Sequence, residues 1–131
     1  MSITISITDG PLGAAPDWAP NGAGAILSFE GIVREREGDG TIEALDYTAY
    51  EPMARTQLQR LGAELLDRHG LTALLMQHSR GRIAVGECSF RLLIAAPHRK
   101  EALAAMDEFI DRLKRDIPIW KSPVWRSAAT T

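Results

Sequence analysis

Ile3, Ile5 and Ile7 alternate with Thr4, Ser6 and Thr8, a period of two that predicts a short strand with one apolar face. Asp9 to Gly22 breaks the pattern with Pro11, Pro16 and Pro20 among several Gly and Ala, so it reads as a loop. Gly24 to Arg34 predicts a strand interrupted at Gly31 by a bulge. The charged run Glu35 to Gly40 suits a mobile hairpin loop, and Thr41 to Tyr50, carrying Ile42, Leu45, Tyr47 and Tyr50, is the returning strand.

The period then lengthens. Pro52 suits a helix start, Met53, Leu58, Leu61 and Leu65 follow a helical spacing to about His69, and Gly70 is a natural stop. Thr72 to His78 and Cys88 to Ala95 read as strands, with a turn region over Ser79 to Gly86 between them. Pro97 opens a second helix, roughly His98 to Arg115, with an apolar stripe of Leu103, Met106, Phe109, Ile110 and Leu113. Pro118 ends it, and Ile117 to Arg126 continues as an extended tail. Hairpin-like strand pairs with interspersed helices predict an α+β fold: an antiparallel sheet carrying two main helices on one side.

Composition narrows what such a fold does. The 131 residues suffice for one domain, 1–131, and are 45% apolar and 24% charged, the balance of a globular chain. A formal net charge of −2 argues against a nucleic-acid binder. No apolar run is long enough to span a bilayer and the N-terminus lacks a signal-peptide pattern, so the expectation is a cytoplasmic protein with no membrane partner. The single Cys88 excludes an intrachain disulfide; in its alternating run it reads as a small strand residue, since no adjacent His or Lys would activate it. His69 reads as a cation at a helix C-terminus and His78 as a surface residue at a strand end.

Three segments offer chemistry: Pro97 to Lys100, Lys114 to Lys121, and Phe29 to Arg34. His98-Arg99-Lys100 puts cations at a helix start, where they disfavour the helix but suit a phosphate or carboxylate; side chains pointing into water explain them equally well. Lys114 fits a last helical turn on dipole grounds, with Asp111 three residues back as a partner. Lys121 follows Ile117-Pro118-Ile119-Trp120; an amine beside such apolar bulk is able to act as acid, base or nucleophile, although an edge-strand lysine that blocks aggregation is the commoner case. Arg34 suits bidentate anion binding or is simply an exposed loop residue.

Taken in order, these segments resemble the large, catalytic subunit of molybdopterin synthase, the MoaE family. The matching stretches are Gly24 to Arg34, Leu45 to Tyr50 with Met53-Ala54, His78 to Gly81 with Val85-Gly86-Glu87, Pro97-His98-Arg99, and Lys114 through Lys121. The resemblance implies an α/β hammerhead fold. It implies a sulfurtransferase that converts cyclic pyranopterin monophosphate to the dithiolene of molybdopterin. The sulfur would arrive as a thiocarboxylate on the C-terminal Gly-Gly of a small ubiquitin-like carrier subunit, and the catalytic subunit would be a homodimer within a heterotetramer. Neither cofactor nor metal is implied.

Carried onto this sequence, the resemblance makes Lys114 and Lys121 the catalytic pair, and Arg34, with Ile32 and Val33, part of the substrate site together with His98, Arg99, Ser122 and Pro123. Arg34, His98 and Arg99 would hold the substrate phosphate and pterin, and the lysines would stabilise the oxyanion and move protons. The chain departs from the family after Lys121, where Ser122-Pro123 replaces a basic residue followed by glutamate. That departure is the sequence support for an alternative, a non-catalytic docking protein on the same fold that binds a ubiquitin-like partner.

Overall fold

Alternation and helical spacing translate into elements with few changes. The structure, a computed structural model, describes residues 2–126. Its elements are β1 (Ser2–Asp9), β2 (Ala25–Ile32), β3 (Arg36–Glu37), β4 (Gly40–Ala49), α1 (Met53–His69), β5 (Ala73–Ala84), β6 (Cys88–Ala96), α2 (Arg99–Asp116) and β7 (Ile119–Trp125).

The sheet follows the path β2-β6-β5-β4-β3, with β1 added beside β5 and β7 beside β4. Every pairing but one is antiparallel; β1 runs parallel to β5, with Ile5 opposite Met76. Its partner is thus not its sequence neighbour, which is why hairpin logic did not reveal the parallel pair. β5 is longer than the sequence suggested, running through Arg80-Gly81-Arg82, where no apolar alternation signals a strand. Its first half pairs with β1 and β6 and its far end with β4, so it joins the two parts of the sheet. Arg80 and Arg82 turn outward to Asp9 (2.8 Å) and Glu43 (2.7 Å).

Both helices lie on one face of the sheet, the α+β hammerhead arrangement expected. α1 buries Ala54, Leu58, Leu61, Leu65 and Leu66, and ends where Gly70 adopts the left-handed conformation (φ 67°) and its N–H caps the Leu66 and Asp67 carbonyls. α2 buries Ala102, Ala105, Phe109 and Leu113. Leu103 and Met53, assigned to the apolar stripes from spacing, are 54% and 46% exposed; small alanines, not Leu103, meet the sheet. The main core fills the space between helices and sheet. A second, smaller core of Val33, Ile42, Leu45 and Ile83 lies under β4 and the far end of β5.

Two close approaches fix local geometry. A side chain on Gly24 would run into the Pro97 carbonyl, so only glycine lets the start of β2 lie against the turn into α2. Gly40 lies under the Trp125 ring, which presses the β3–β4 hairpin against β7. No helix among the described residues is long and apolar enough to cross a membrane.

Candidate active site

β2, the hairpin behind it, the end of α2 and the start of β7 enclose a cleft of about 640 Å³. Arg34 reaches it because Val33 is pinned: its N–H donates to the Glu87 carbonyl (3.0 Å) and its carbonyl accepts from Gly86 N–H (2.8 Å). The register shift between Gly31 and Ile32 is the bulge expected at Gly31, and it ends the ladder just before this anchor. Lys114 projects from the last turn of α2, and Lys121 from β7 opposite Tyr47 on β4. Ile32, Val33, Arg34, Lys114 and Lys121 all line the one cleft.

Phe29, Tyr47, His78 and Phe90 form its aromatic side. Phe90 stands 5.8 Å from Phe29 and 5.9 Å from His78 between ring centres, and Tyr47 meets His78 edge-on at 5.1 Å. His78 is only 5% exposed, not the surface residue the sequence suggested; β5 continues past it and β6 covers it. Its Nδ1 lies 2.7 Å from the Ser79 carbonyl, which accepts its proton, and burial pushes its pKa below the ordinary value. The ring is therefore a neutral wall. Burial also raises the Tyr47 phenol, whose oxygen lies 2.9 Å from Ser89 Oγ.

Among the described residues, the cleft thus holds three basic side chains, Arg34, Lys114 and Lys121, and one acidic one, Glu37. In a chain of net charge −2 this is a local reversal of sign. Among the described residues no carboxylate lies within ion-pair distance of Arg34 or Lys114, and Asp111 does not pair with Lys114 as the spacing suggested. A smaller cleft of about 350 Å³ between the helices differs: its Arg112 is neutralised by Glu64 and Glu108. Of these two clefts the first has the excess of basic over acidic side chains among the described residues; in the second, Arg60 and Arg112 are matched in number by Glu64 and Asp116.

His98 and Arg99 stand apart. They open α2, whereas Lys114 closes it, which puts them about 24 Å away along the axis. Both are exposed, and His98 lies 3.5 Å from Glu101. Ser122 and Pro123 follow Lys121 on β7 but do not line the cleft. Cys88 donates to the Phe90 carbonyl (3.3 Å) and burial raises its pKa, which leaves it a strand residue rather than a nucleophile. Glu37, treated from sequence as part of a mobile loop, was missed as a site residue; its two-residue strand carries no apolar signal.

Fold and cleft together define a small α+β protein that brings two lysines and an arginine into one cleft beside an aromatic wall. The family model described as MoaE protein matches residues 8–116. A molybdopterin synthase catalytic subunit from Bacillus subtilis (strain 168) is 38% identical over 103 residues, 79% of this chain and 66% of that one. One from Nostoc sp. (strain PCC 7120) is 34% identical, with 98% of this chain and 80% of that one covered. The crystal structure of molybdopterin synthase from Staphylococcus aureus superposes with a TM-score of 0.80 at 29% identity, covering 93% of this chain and 91% of that one. A protein–protein complex of subunits 1 and 2 of molybdopterin-converting factor from Helicobacter pylori 26695 gives 0.72 at 25% identity, covering 95% and 91%. This chain belongs to the MoaE protein family, that of the molybdopterin synthase catalytic subunits.

Proposed function

We propose that this chain is a molybdopterin synthase catalytic subunit, a sulfurtransferase acting on cyclic pyranopterin monophosphate in the cytoplasm. The observation that carries the reading is the convergence of Arg34, Lys114 and Lys121 on one cleft that, among the described residues, has a single carboxylate. The aromatic side suits a flat pterin, and the surplus positive charge suits its phosphate. The sulfur donor is the C-terminal thiocarboxylate of a small ubiquitin-like carrier. Its Gly-Gly tail is narrow enough to thread into such a cleft.

The chemistry follows from these groups. The thiocarboxylate sulfur forms a bond to a side-chain carbon of the pterin as that carbon's bond to oxygen breaks, the oxygen departing as water or remaining on the opened phosphate. Water then adds to the carrier's acyl carbon, the acyl–sulfur bond breaks, and the carrier leaves as a carboxylate with its sulfur on the pterin. Negative charge develops on the acyl oxygen as water adds. Lys121 and Lys114 stabilise that charge and carry protons to and from the reacting atoms. Two carriers deliver the two sulfurs of one dithiolene.

His98 and Arg99 enter this scheme only from a second copy. A residue about 24 Å from Lys114 along a rigid helix cannot close the same site in cis. In a homodimer, with a carrier on each protomer, the partner's α2 start completes the phosphate site. Ser122 and Pro123 then serve as neighbours of Lys121 rather than ligands.

A single-turnover reaction tests the reading. The purified chain, cyclic pyranopterin monophosphate and thiocarboxylated carrier should yield molybdopterin, detected as its fluorescent oxidation product. A folded chain that binds carrier but forms no product would favour the docking-only alternative, which Ser122-Pro123 supports.

A further inference from the structure

Among the described residues, Glu37 is the only acidic one lining the cleft, and it is not there by chance of a loose loop. The hairpin that carries it is tight: Arg36 pairs with Thr41, Glu37 with Gly40, and Gly38 takes the positive φ of 59° that the turn requires. Three contacts then fasten that hairpin to β7 and its continuation. The Trp125 ring lies over Gly40, Arg126 N–H donates to the Thr41 carbonyl (3.0 Å), and the Arg126 guanidinium lies 3.8 Å from Glu35. The fourth contact is at the cleft itself, where Glu37 Oε1 lies 3.6 Å from Lys121 Nζ.

The two lysines are therefore not equivalent. Lys121 has a carboxylate held beside it by a clamped hairpin; Lys114 has none among the described residues. A lysine stem has four rotatable bonds, and in a half-exposed position it otherwise spends its time in solvent. We propose that Glu37 is a positioning residue for Lys121: it holds the ammonium at the cleft and leaves Lys114 as the unpaired amine. This rests on the function proposed above, in which Lys121 acts on the carrier's acyl oxygen. The role is one of placement, so its loss acts on the rate of the chemical step and not on the binding of substrate or carrier.

The test compares Glu37→Gln with the parent in the single-turnover reaction. The rate should fall about three- to fivefold, the upper range for a half-exposed ion pair, while carrier affinity and the substrate dependence stay within about twofold. Rescue separates placement from a structural role. Pro123 is two residues along β7 from Lys121, hence on the same face of the strand and about 7 Å away. A carboxylate supplied there by Pro123→Glu in the Glu37→Gln background should restore most of the rate. A disturbed hairpin would not be repaired that way, and equal melting temperatures for all variants exclude it directly.

A readout independent of turnover accompanies this. In ¹⁵N-lysine NMR, the Lys121 ammonium signal should move on Glu37→Gln and the Lys114 signal should not. An inactive parent would defeat the proposed function while the NMR comparison still judged the pairing. An active parent with an unchanged rate in Glu37→Gln, no rescue by the second substitution, or an unmoved Lys121 signal would overturn the assignment of Glu37.

Discussion

Replacing Gly24 with alanine adds one methyl group where the structure has no room for it. The new Cβ would overlap the Pro97 carbonyl oxygen and sit 3.2 Å from the carbonyl carbon. The obstacle is backbone, so no side-chain rotation relieves it. β2 or the turn into α2 must shift, and the Gly24 N–H bond to the Ala96 carbonyl (2.9 Å) lies in the path of that shift. Overpacking of this kind costs about 1–3 kcal/mol, with the upper end fitting an immovable neighbour. The weakened hydrogen bond adds about 1 kcal/mol. Alanine returns about 0.7 kcal/mol by restricting the unfolded chain. The net loss is about 3 kcal/mol. For 131 residues, an unfolding entropy of about 2.1 cal/mol/K per residue makes that a drop in Tm of about 11 °C. Thermal and urea melts of Gly24→Ala and parent measure it. Gly13→Ala is the control, because nothing lies within 4 Å of the added methyl; it should stay within about 0.5 kcal/mol of parent. A Gly24→Ala protein that melts within about 3 °C of parent would refute the packing argument.

Other expectations concern assembly and pH. If His98 and Arg99 act on the partner's cleft, an inactive Lys114→Ala chain mixed with an inactive Arg99→Ala chain should regain about a quarter of parental activity, because half the dimers then hold one intact site. Continued inactivity after exchange would place those residues outside the shared site. Arg68 and then His69 hold the Glu108 carboxyl down to about 2, so the α1–α2 ion network contributes above the ordinary carboxylate value of 4.5 and is lost as pH falls from there toward 2. The gap in Tm between parent and Glu108→Gln should close over that window, and a constant gap would count against it. His78 is neutral in the fold and its pKa is lowered by burial, so its effect is absent above the ordinary 6.5 and destabilising as pH falls below it. Replacing His78 with Gln should flatten the fall in Tm below that pH; an unchanged slope would show that other groups cause it.

Much of this molecule was legible along the chain because its signals are local. The strand at Ile3, Ile5 and Ile7, the stop at Gly70 and the bulge at Gly31 each depend on residues within a few positions. Lys114, Lys121 and Arg34 were candidates from the residues alone, each with a commoner structural explanation beside it; their proposed roles came from the resemblance, since isolated cations have no period. What stayed hidden depends on distant partners. β1 pairs parallel with a strand some seventy residues on, and His78 is buried by β6 and Tyr47 rather than by anything beside it in sequence. Leu103 looked like core because a helical stripe has width, and alanines fill the closest layer. Glu37 was passed over because a charged run reads as solvent, whereas Trp125 and Arg126, nearly ninety residues away, hold it at the cleft.

In the proposed function, Lys114 and Lys121 perform sulfur transfer in this cleft. The most direct test of that role is a single-turnover comparison of parent, Lys114→Ala and Lys121→Ala with thiocarboxylated carrier, alongside the carrier affinity of each. Either substitution should remove most product formation, a loss of at least about a hundredfold for a group that stabilises an oxyanion, with carrier binding largely intact. Parental rates from both variants would contradict that role and leave the cleft as a docking surface.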